Sequence, residues 1–348
     1  MKIDRIIIEP KANIRDALKK INDAGKKCLL VCNKGKFLGT LSDGDIRKAL
    51  LKNVGMEKEI ESVFNKNSYS LIDKEYSQSE IKEIFLEKKF DIIPVLDKNS
   101  SPVKIIEWSD VFDVKRIHET IDMPVVIMAG GKGTRLKPFT NVLPKPLIPL
   151  NERTVIEQII EGFTNSGVED FYMTINYKGK ILKAFFEELD PSYNLKFVEE
   201  STPLGTAGSL SKLQGEIDKT FIVANCDVII DIDHNDLVDF HKSNGCAITL
   251  VASAKEIIIP YGSCEINKDG YLQKISEKPK LDYLINTGLY VLEPSVLDLI
   301  PKNTFFHITD LINLVKKDKK VGVFPIDDSA WVDIGQWEEY RNAVKKLN

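Results

Sequence analysis

Residues 128–147 read Met-Ala-Gly-Gly-Lys-Gly-Thr-Arg-Leu-Lys-Pro-Phe-Thr-Asn-Val-Leu-Pro-Lys-Pro-Leu. The stretch follows the apolar run Val125–Met128 and combines a glycine-rich loop with Arg135 and with Lys145, which stands between two prolines. Glycine lets a backbone approach a ligand closely because it has no Cβ, and successive backbone N–H groups in such a loop form a concave anion site. We therefore predict that this loop binds a phosphate group beside two fixed cations.

Two common phosphate-binding motifs do not fit the loop. A P-loop has a glycine, four residues and then Gly-Lys-Ser/Thr, but here Val126 stands at the first glycine position and Gly133 follows the lysine. The dinucleotide fingerprint G-x-G-x-x-G would require glycine where the chain has Leu136. The sequence therefore supports neither a P-loop kinase nor a Rossmann dehydrogenase.

The pattern G-G-x-G-T-R-L-x-P-x-T-x-x-x-P-K-P-L in this stretch resembles the signature of the sugar-1-phosphate nucleotidyltransferases. An ordinary strand–turn–helix connection is the alternative. The resemblance covers about residues 124–348 and implies a Rossmann-like, GT-A-type α/β fold with a mixed, mostly parallel sheet. It assigns Arg135 and Lys145 as catalytic cations. The loop residues that it assigns to the nucleotide are Ala129, Gly130, Gly131, Gly133 and Thr134.

The periodicity after Val125 indicates the same fold class independently. Apolar strand candidates alternate with amphipathic helix candidates, which predicts a mostly parallel α/β sheet. In such sheets ligands bind outside the carboxyl ends of the strands. The predicted strands are 125–128, 171–175, 195–198, 221–224 and 246–251, and the predicted helices are 154–165, 178–189 and 233–243.

Two aspartates stand at predicted strand ends and are candidates for a metal site. Asp227 follows the apolar strand that starts at Phe221, and Asp333 lies in Ala330–Gly335. Alone, an aspartate after a strand is usually a turn or cap residue. Two carboxylates brought together at a triphosphate would bind Mg²⁺, which requires hard oxygen ligands. The resemblance implies this role for both residues and also assigns Asp227 to the nucleotide.

Shorter motifs follow in the order that the family shows. The segment Leu204–Gly208 would face the base and the ribose, although an ordinary helix start has a similar composition. Its assigned residues are Gly205, Thr206 and Gly208. The residues assigned to the sugar and its phosphate are Gly262 in Tyr-Gly-Ser, Glu277 and Lys278 in Glu-Lys-Pro, and Asn286 and Thr287 in Asn-Thr-Gly.

Residues 1–115 contain a diverged internal repeat of helix, two strands and helix. The segment Gly39–Arg47 resembles the strand–turn–helix of CBS domains, two of which form a Bateman module with an α+β fold. The resemblance implies a regulatory nucleotide site formed by Thr40, Ser42, Asp43 and Asp45. In the second repeat Glu107 replaces a small hydroxyl residue, so a second site is less well supported.

The expected domains are a first CBS domain at 1–58, a second at 59–118 and a nucleotidyltransferase domain at 124–348, with a helix over 111–119 leading into the linker. Regulatory nucleotide binding and a purely structural role in dimerisation are both open for the CBS pair. By resemblance, CBS pairs associate face to face, which implies a homodimer or a higher homo-oligomer.

Composition excludes several other classes. The 348 residues carry a net charge of −4, so no basic field favours nucleic acid or an anionic membrane. No run approaches the ~18 apolar residues of a membrane span, and the N-terminal apolar run is too short for a signal peptide. The five cysteines form no C-x-x-C pair, which is typical of a reducing compartment. We expect a cytoplasmic protein without a zinc site.

The substrates follow from resemblance alone. A CBS pair fused to this transferase resembles enzymes of legionaminic acid synthesis that make GDP-glucosamine and pyrophosphate from GTP and α-D-glucosamine 1-phosphate. Mannose-1-phosphate guanylyl transfer is the nearest alternative, and uridylyl or thymidylyl transfer to glucose 1-phosphate is the next. A nucleotide sensor without catalytic activity is the alternative from another class, and the presence of both cations and both aspartates disfavours it.

Overall fold

The computed structural model describes residues 3–88, 90–112 and 120–346. The chain forms two compact units. The first contains Met1–Ile117 together with Lys255–Tyr283, and the second contains His118–Ala254 and Leu284–Asn348. The segment 255–283, which we call the arm, is therefore grouped with the N-terminal repeat and not with the rest of the predicted transferase. No helix among the described residues is long and apolar enough to cross a membrane.

The N-terminal repeat forms two sheets with the same order and orientations. In each, a short first strand pairs parallel with the second, and the second pairs antiparallel with the third. The elements are β1 (Ile7–Ile8), α1 (Ile14–Ala24), β2 (Cys28–Asn33), β3 (Lys36–Ser42), α2 (Asp43–Leu51), β4 (Leu71–Ile72), α3 (Gln78–Lys88), β5 (Ile92–Leu96), β6 (Pro102–Glu107) and α4 (Trp108–Phe112). Of the helix predicted over 111–119, residues 113–119 lie outside the described part of the chain.

Local signals define these elements. Helix α1 begins after Asn13, whose side chain accepts a hydrogen bond from Asp16 N at 2.8 Å, and ends at Gly25, which has a left-handed backbone conformation. Its buried side chains recur at helical spacing: Ile14, Ala17, Leu18 and Ile21. The apolar face therefore packs into the core of the unit.

The second unit is built on a seven-stranded mixed sheet. In chain order the remaining strands are β7 (Val125–Met128), β8 (Pro149–Leu150), β9 (Arg153–Thr154), β10 (Asp170–Ile175), β11 (Asn194–Glu199), β12 (Phe221–Asn225), β13 (Val228–Ile230), β14 (Ile248–Ile258), β15 (Ser263–Ile266), β16 (Leu272–Ser276), β17 (Lys280–Leu292), β18 (Val321–Asp327) and β19 (Trp331–Asp333). The order in the large sheet is β11-β10-β7-β12-β17-β14-β18.

Most neighbours in this sheet are parallel, as predicted. Strands β11, β10, β7 and β12 pair parallel in succession, as do β14 and β18, whereas β17 is antiparallel to β12. The mixed and mostly parallel α/β sheet predicted for the region after Val125 is confirmed by this topology. Strands β14 and β17 also continue into the arm, whose strands β15 and β16 form a separate antiparallel hairpin.

Helices cover both faces of the sheet and form two apolar clusters. One cluster packs around the helices Val155–Thr164 and Gly179–Leu189, and the other packs around the helix Ile308–Val315. The remaining α-helices are α5 (Phe139–Val142), α6 (Val155–Thr164), α7 (Gly179–Leu189), α8 (Gly205–Gly208), α9 (His234–Asn244), α10 (Ile308–Val315) and α11 (Trp337–Lys346). Short 3₁₀ helices are Ile3–Ile6, Ile60–Ser62, Thr134–Leu136, Lys145–Leu147, Ser209–Leu213, Pro294–Leu299 and Asp328–Ala330.

Candidate active site

A cleft of about 360 Å³ opens at the carboxyl ends of two neighbouring parallel strands in the second unit. Met128, the last residue of β7, and Asn225, the last residue of β12, both line it. This is the edge at which open α/β sheets bind ligands. The predicted residues that the structure brings together in the cleft are Gly130, Gly131, Gly133, Thr134, Arg135, Lys145, Gly205, Thr206 and Asp227.

Lys145 and Asp227 form an ion pair in this cleft. The Nζ atom of Lys145 donates to Oδ2 of Asp227, and both side chains are mostly buried, at 12% and 16% exposure. The 3₁₀ helix Lys145–Leu147 positions the lysine, since the proline before it fixes the extended entry of the chain. A cation and a carboxylate are therefore held together beside the glycine loop.

Strand pairing brings Asp333 to the same place. The small antiparallel sheet of β13 and β19 pairs Val228 with Asp333, and Ile334 N donates to Asp227 O at 2.9 Å. A Cβ added at Gly335 would lie 2.8 Å from Oδ1 of Asp333 and 3.3 Å from Oδ2 of Asp227. The two carboxylates thus converge on a glycine that leaves room between them.

The environment of Asp333 disfavours its charged form. Burial raises the pKa of this carboxyl group, and the negative charge of Asp227 raises it further. Opposing effects are a hydrogen bond of 2.6 Å from Gly335 N to Oδ1 and the positive charges of Lys145 and Arg135. A bound cation would relieve this cost, because it interacts favourably only with the ionised carboxylate.

The donor set fits a hard divalent cation. Asp227 and Asp333 offer converging carboxylate oxygens, which are the ligands that Mg²⁺ prefers. A cation bound between them would neutralise the repulsion between the two negative charges. Asp227 and Asp333 are therefore the residues of this cleft region that could hold a divalent cation.

Two glycines of the loop are required for close packing. Gly133 has φ +60°, and a Cβ there would lie 2.9 Å from Cγ2 of Thr140 and 3.1 Å from Cβ of Lys145. A Cβ at Gly130 would lie 2.5 Å from Oε1 of Glu200. Glycine at these positions therefore lets the loop approach Lys145 on one side and Glu200 on the other.

Arg135 has an uncommitted guanidinium group. It lies in the 3₁₀ helix Thr134–Leu136, is exposed, and among the described residues no carboxylate is within ion-pair distance of it. A guanidinium group that forms no ion pair with a described residue and lies at the rim of a cleft is suited to bind an anionic ligand. Ala129, by contrast, is buried, and its N–H donates to Thr174 O at 2.9 Å.

Glu200 was not assigned a role from the sequence. Its side chain lines the cleft although the residue is 8% exposed, and Oε2 accepts a hydrogen bond of 3.1 Å from Leu204 N. Burial raises the pKa of this carboxyl group. The signal that could have found it is its position directly after β11, at the same sheet edge as the glycine loop.

The structure gives the glycines of Leu204–Gly208 a packing role. A Cβ at Gly205 would lie 2.7 Å from Phe306 O, and one at Gly208 would lie 2.5 Å from Thr304 O. Thr206 Oγ1 accepts from Ile308 N at 3.0 Å at the start of α10. Gly205 and Thr206 also line the cleft, whereas Gly208 is buried against the backbone of residues 304–306.

The residues predicted for the sugar phosphate fall into two groups. Gly262, Glu277 and Lys278 lie in the arm, where a Cβ at Gly262 would lie 3.2 Å from Oε2 of Glu277. Asn286 and Thr287 lie in the second unit on β17. There Asn286 Nδ2 donates to Tyr290 Oη at 2.8 Å, and Thr287 Oγ1 donates to Val251 O at 2.9 Å.

The first unit has a second cleft, of about 530 Å³, lined by Thr40, Ser42 and Asp45. Ser42 and Asp45 form a capping box at the start of α2, with Ser42 N donating to Asp45 Oδ2 at 2.9 Å. Asp43 instead pairs with Arg47 and does not line the cleft. Tyr69 lines it and stacks on Phe90, with ring centroids 6.1 Å apart.

The equivalent position in the second repeat is occupied differently. Lys26 Nζ lies 2.6 Å from Oε2 of Glu107, and Glu107 N donates to Asp110 Oδ2 at 2.8 Å. The carboxylate that replaces the small hydroxyl residue is therefore paired within the first unit.

A family model for nucleotidyl transferases matches residues 124–348, and a CBS domain model matches residues 1–52. Because the first match covers more than half of the chain, the protein belongs to the nucleotidyl transferase family, with an N-terminal CBS domain.

Particular relatives are guanyltransferases. Over 229 residues the chain is 34% identical to the mannose-1-phosphate guanyltransferase of Candida albicans, and over 227 residues it is 33% identical to that of Saccharomyces cerevisiae. Each match covers 63% of this chain, and the chain spans only 62% and 63%, respectively, of the length of these two relatives.

Solved structures give the same fold. HddC from Yersinia pseudotuberculosis is 27% identical, with a TM-score of 0.51 over 65% of this chain and all of that protein. The same Yersinia protein in complex with GMP-PN matches at 25% identity and a TM-score of 0.51, again over 65% of this chain and all of that protein.

Proposed function

We propose that this protein is a sugar-1-phosphate guanylyltransferase, which joins GTP and a sugar 1-phosphate into a GDP-sugar and releases pyrophosphate. The observation that carries the proposal is the convergence of the glycine loop, Lys145, Asp227 and Asp333 at one edge of the sheet. The choice of guanine is supported by the guanyltransferase relatives and by the nucleotide in the Yersinia complex.

In this reaction an oxygen of the sugar phosphate attacks the α-phosphorus of GTP in line. A new P–O bond forms to that oxygen, and the bond between the α-phosphorus and the bridging oxygen of pyrophosphate breaks. Lys145 neutralises charge on the α-phosphate and the incoming phosphate, and Arg135 binds the β- and γ-phosphates that leave. No general base is needed, since a phosphate monoester with a second pKa of about 6 is already ionised.

The glycine loop and the two aspartates complete this assignment. Gly130, Gly131 and Gly133 supply backbone donors to the triphosphate. Asp227 and Asp333 hold a divalent cation, which we propose is Mg²⁺; it neutralises charge on the transferred phosphate when bound.

For the sugar we propose glucosamine 1-phosphate, because the fusion of a CBS pair to the transferase resembles enzymes of legionaminic acid synthesis. The second candidate is mannose 1-phosphate, which is favoured by the names of the relatives. In either case Gly262, Glu277, Lys278, Asn286 and Thr287 are the proposed sugar-phosphate residues.

We further propose that a nucleotide binds the cleft of the first unit, that the CBS pair forms a homodimer or a higher homo-oligomer, and that the protein acts in the cytoplasm. These proposals rest on the CBS resemblance and on composition. The domain boundaries 1–58, 59–118 and 124–348 are likewise proposed.

Pyrophosphate release, measured with four nucleoside triphosphates and several sugar 1-phosphates in Mg²⁺, tests the proposal. We expect GTP with glucosamine 1-phosphate to be the best pair. A different best pair would exclude the specific substrates and leave nucleotidyl transfer intact, whereas binding without turnover would favour the sensor alternative.

Substitutions test the assignment of the site. Lys145→Ala, Arg135→Ala and Asp227→Ala should each reduce turnover about 100-fold or more with little change in melting temperature. A matched control is Lys183→Ala, whose ammonium pairs with Glu199 on the surface and which should retain wild-type turnover. Near wild-type rates in all three site variants would exclude the assignment.

A further inference from the structure

One arginine of the first CBS repeat forms ion pairs with the arm. Arg15 Nε lies 3.0 Å from Oε1 of Glu57 and 3.5 Å from Oε2 of Glu256, and its Nη2 atom donates to Asp282. Arg15 and Glu57 belong to the N-terminal repeat, whereas Glu256 and Asp282 belong to the arm. The guanidinium group therefore joins two parts of the chain that are far apart in sequence.

The position of Arg15 in its helix indicates that its main role is to pair with these carboxylates. It occupies the first turn of α1, where the helix dipole disfavours a cation and favours carboxylates. Its neighbour Asn13 caps the helix and also donates to Glu57 Oε2 at 3.4 Å. Three carboxylates offset the unfavourable placement of the cation. Partial burial lowers the pKa of Arg15, but hydrogen bonds to Glu57 and Asp282 and the negative charges of Asp282 and Glu256 together raise it.

Arg15 binds the arm at its base. Glu256 lies on β14, the strand that enters the arm, and Asp282 lies on β17, the strand that leaves it. A backbone hydrogen bond of 3.1 Å from Ile259 N to Pro279 O closes the arm just beyond these two residues. One planar guanidinium with several donors thus fixes the spacing of both strands relative to helix α1.

Without Arg15 this junction would be repulsive. The carboxylates of Glu57, Glu256 and Asp282 each have an oxygen within 4.8 Å of the others. Lys280 Nζ lies 3.3 Å from Oε2 of Glu256. Removing the guanidinium group would leave these carboxylates closer to net repulsion, because like charges at this distance repel even near the surface.

We propose that Arg15 is a positioning residue for the sugar phosphate: it holds the base of the arm on the first CBS repeat and thereby fixes Gly262, Glu277 and Lys278. The proposal rests on the proposed function for the identity of the substrate, and it deepens that function by giving the CBS repeat a role in sugar binding. GTP binding does not depend on Arg15, because the nucleotide residues lie outside the arm.

The first experiment needs no substrate. Hydrogen–deuterium exchange of full-length Arg15→Ala should show faster exchange of the backbone amides in β15 and β16 than wild type, with protection elsewhere unchanged. Lys26→Ala, which removes an ion pair to Glu107 in the same unit, is the control and should leave arm exchange unchanged. Unchanged arm exchange in Arg15→Ala, or faster exchange throughout the chain, would overturn the proposal.

The second experiment is kinetic. In Arg15→Ala the KM for the sugar phosphate should rise roughly fivefold or more while the KM for GTP stays within about twofold, since misplaced binding residues weaken one substrate only. Arg15→Lys should recover part of the loss, and Asp282→Asn should reproduce part of it. An equal rise in both KM values, or no rise, would overturn the positioning role. If wild type turns over no substrate, the proposed function fails, and the exchange experiment still decides whether Arg15 holds the arm.

Discussion

At the scale of single residues, we propose that Glu200 contributes to base selection. One of its oxygens accepts from Leu204 N, and the other faces Gly130 at the floor of the cleft. Guanine presents an N–H and an amino group side by side, and one carboxylate can accept from both. A buried acceptor would therefore favour guanine over bases that lack this pair of donors.

Glu200→Gln tests this idea. The amide replaces one acceptor with a donor, which would face a guanine donor, so kcat/KM for GTP should fall roughly 10- to 100-fold. Rates with the other triphosphates should change less. Glu199→Gln, at the neighbouring exposed carboxylate, is the matched control and should leave GTP kinetics unchanged. Equal losses for all four triphosphates would show that Glu200 supports the cleft and does not select the base.

The raised pKa of Asp333 leads us to predict that its ionised carboxylate lowers the stability of the fold but is needed for activity. Its pKa is raised by burial and by Asp227, so the folded state binds a proton at this site more tightly than the unfolded chain does. At neutral pH the ionised group therefore costs stability, and the cost disappears as the pH falls through the raised pKa. Activity should fall as the pH falls through the same range, since cation binding needs the ionised carboxylate.

Asp333→Asn separates the two effects. In EDTA at pH 7 its free energy of unfolding should exceed that of wild type, and the difference should shrink as the pH falls. Its turnover in Mg²⁺ should be reduced about 100-fold or more. The measurements are urea unfolding over a pH series and pyrophosphate release. A variant that is less stable than wild type at pH 7 would contradict this account of the site.

Sequence patterns identified some of these residues and missed others for a physical reason. Lys145 and Arg135 lie in one continuous motif, so their roles could be predicted by resemblance. Glu200 becomes visible only when β11 and β7 are placed at one sheet edge. Arg15 and its partners in the arm could not be paired from sequence, because their contact depends on long-range folding.

At the scale of elements, helix α11 packs beside the carboxylates that we propose to hold the divalent cation. It begins shortly after Asp333, and Trp337 Nε1 donates to Lys137 O at 2.8 Å. The Trp337 ring also packs on Phe139, with centroids 4.9 Å apart. This contact ties the segment after β19 to the segment that follows the glycine loop.

Trp337→Ala should therefore weaken the metal site without removing it. We expect the Mg²⁺ concentration for half-maximal rate to rise severalfold, with turnover at saturating Mg²⁺ near that of wild type, because the carboxylates remain present but are less well oriented. Tyr340→Phe, which removes only a hydrogen bond of 2.9 Å to Pro149 O, is the control and should have little effect. An unchanged Mg²⁺ requirement in Trp337→Ala would show that α11 does not position the carboxylates.

Element boundaries were predictable where the signal is local. The first helix of the N-terminal repeat, α1, has such a signal at each end, in Asn13 and Gly25. The pairing of β13 with β19 was not predicted, since both strands are short and their register depends on tertiary packing. The grouping of the arm with the CBS repeat was missed for the same reason, since it depends on contacts between segments that are far apart in sequence.

At the scale of the whole molecule, the cleft of the first unit is the place where we propose that a regulatory nucleotide binds. Tyr69 presents an aromatic ring stacked on Phe90, and Thr40, Ser42 and Lys88 supply polar and cationic groups around it. A planar base could stack on the ring while its phosphate approaches the lysine. Base–aromatic stacking is worth about 1–3 kcal/mol per base.

ATP and AMP are the probes for this cleft. Each should bind the Lys145→Ala protein, in which the active site is impaired, and the Tyr69→Ala/Lys145→Ala protein should bind at least roughly tenfold more weakly. Tyr271→Ala, which removes a tyrosine that is 73% exposed in the arm, is the matched control in the same background. In the active enzyme, the nucleotide that binds should change the rate of pyrophosphate release, and Tyr69→Ala should remove that change. If neither nucleotide binds Lys145→Ala or alters the rate of wild type, the CBS pair has a structural role only. A cleft that binds no nucleotide, despite its aromatic ring and its lysine, could not regulate the transferase through one.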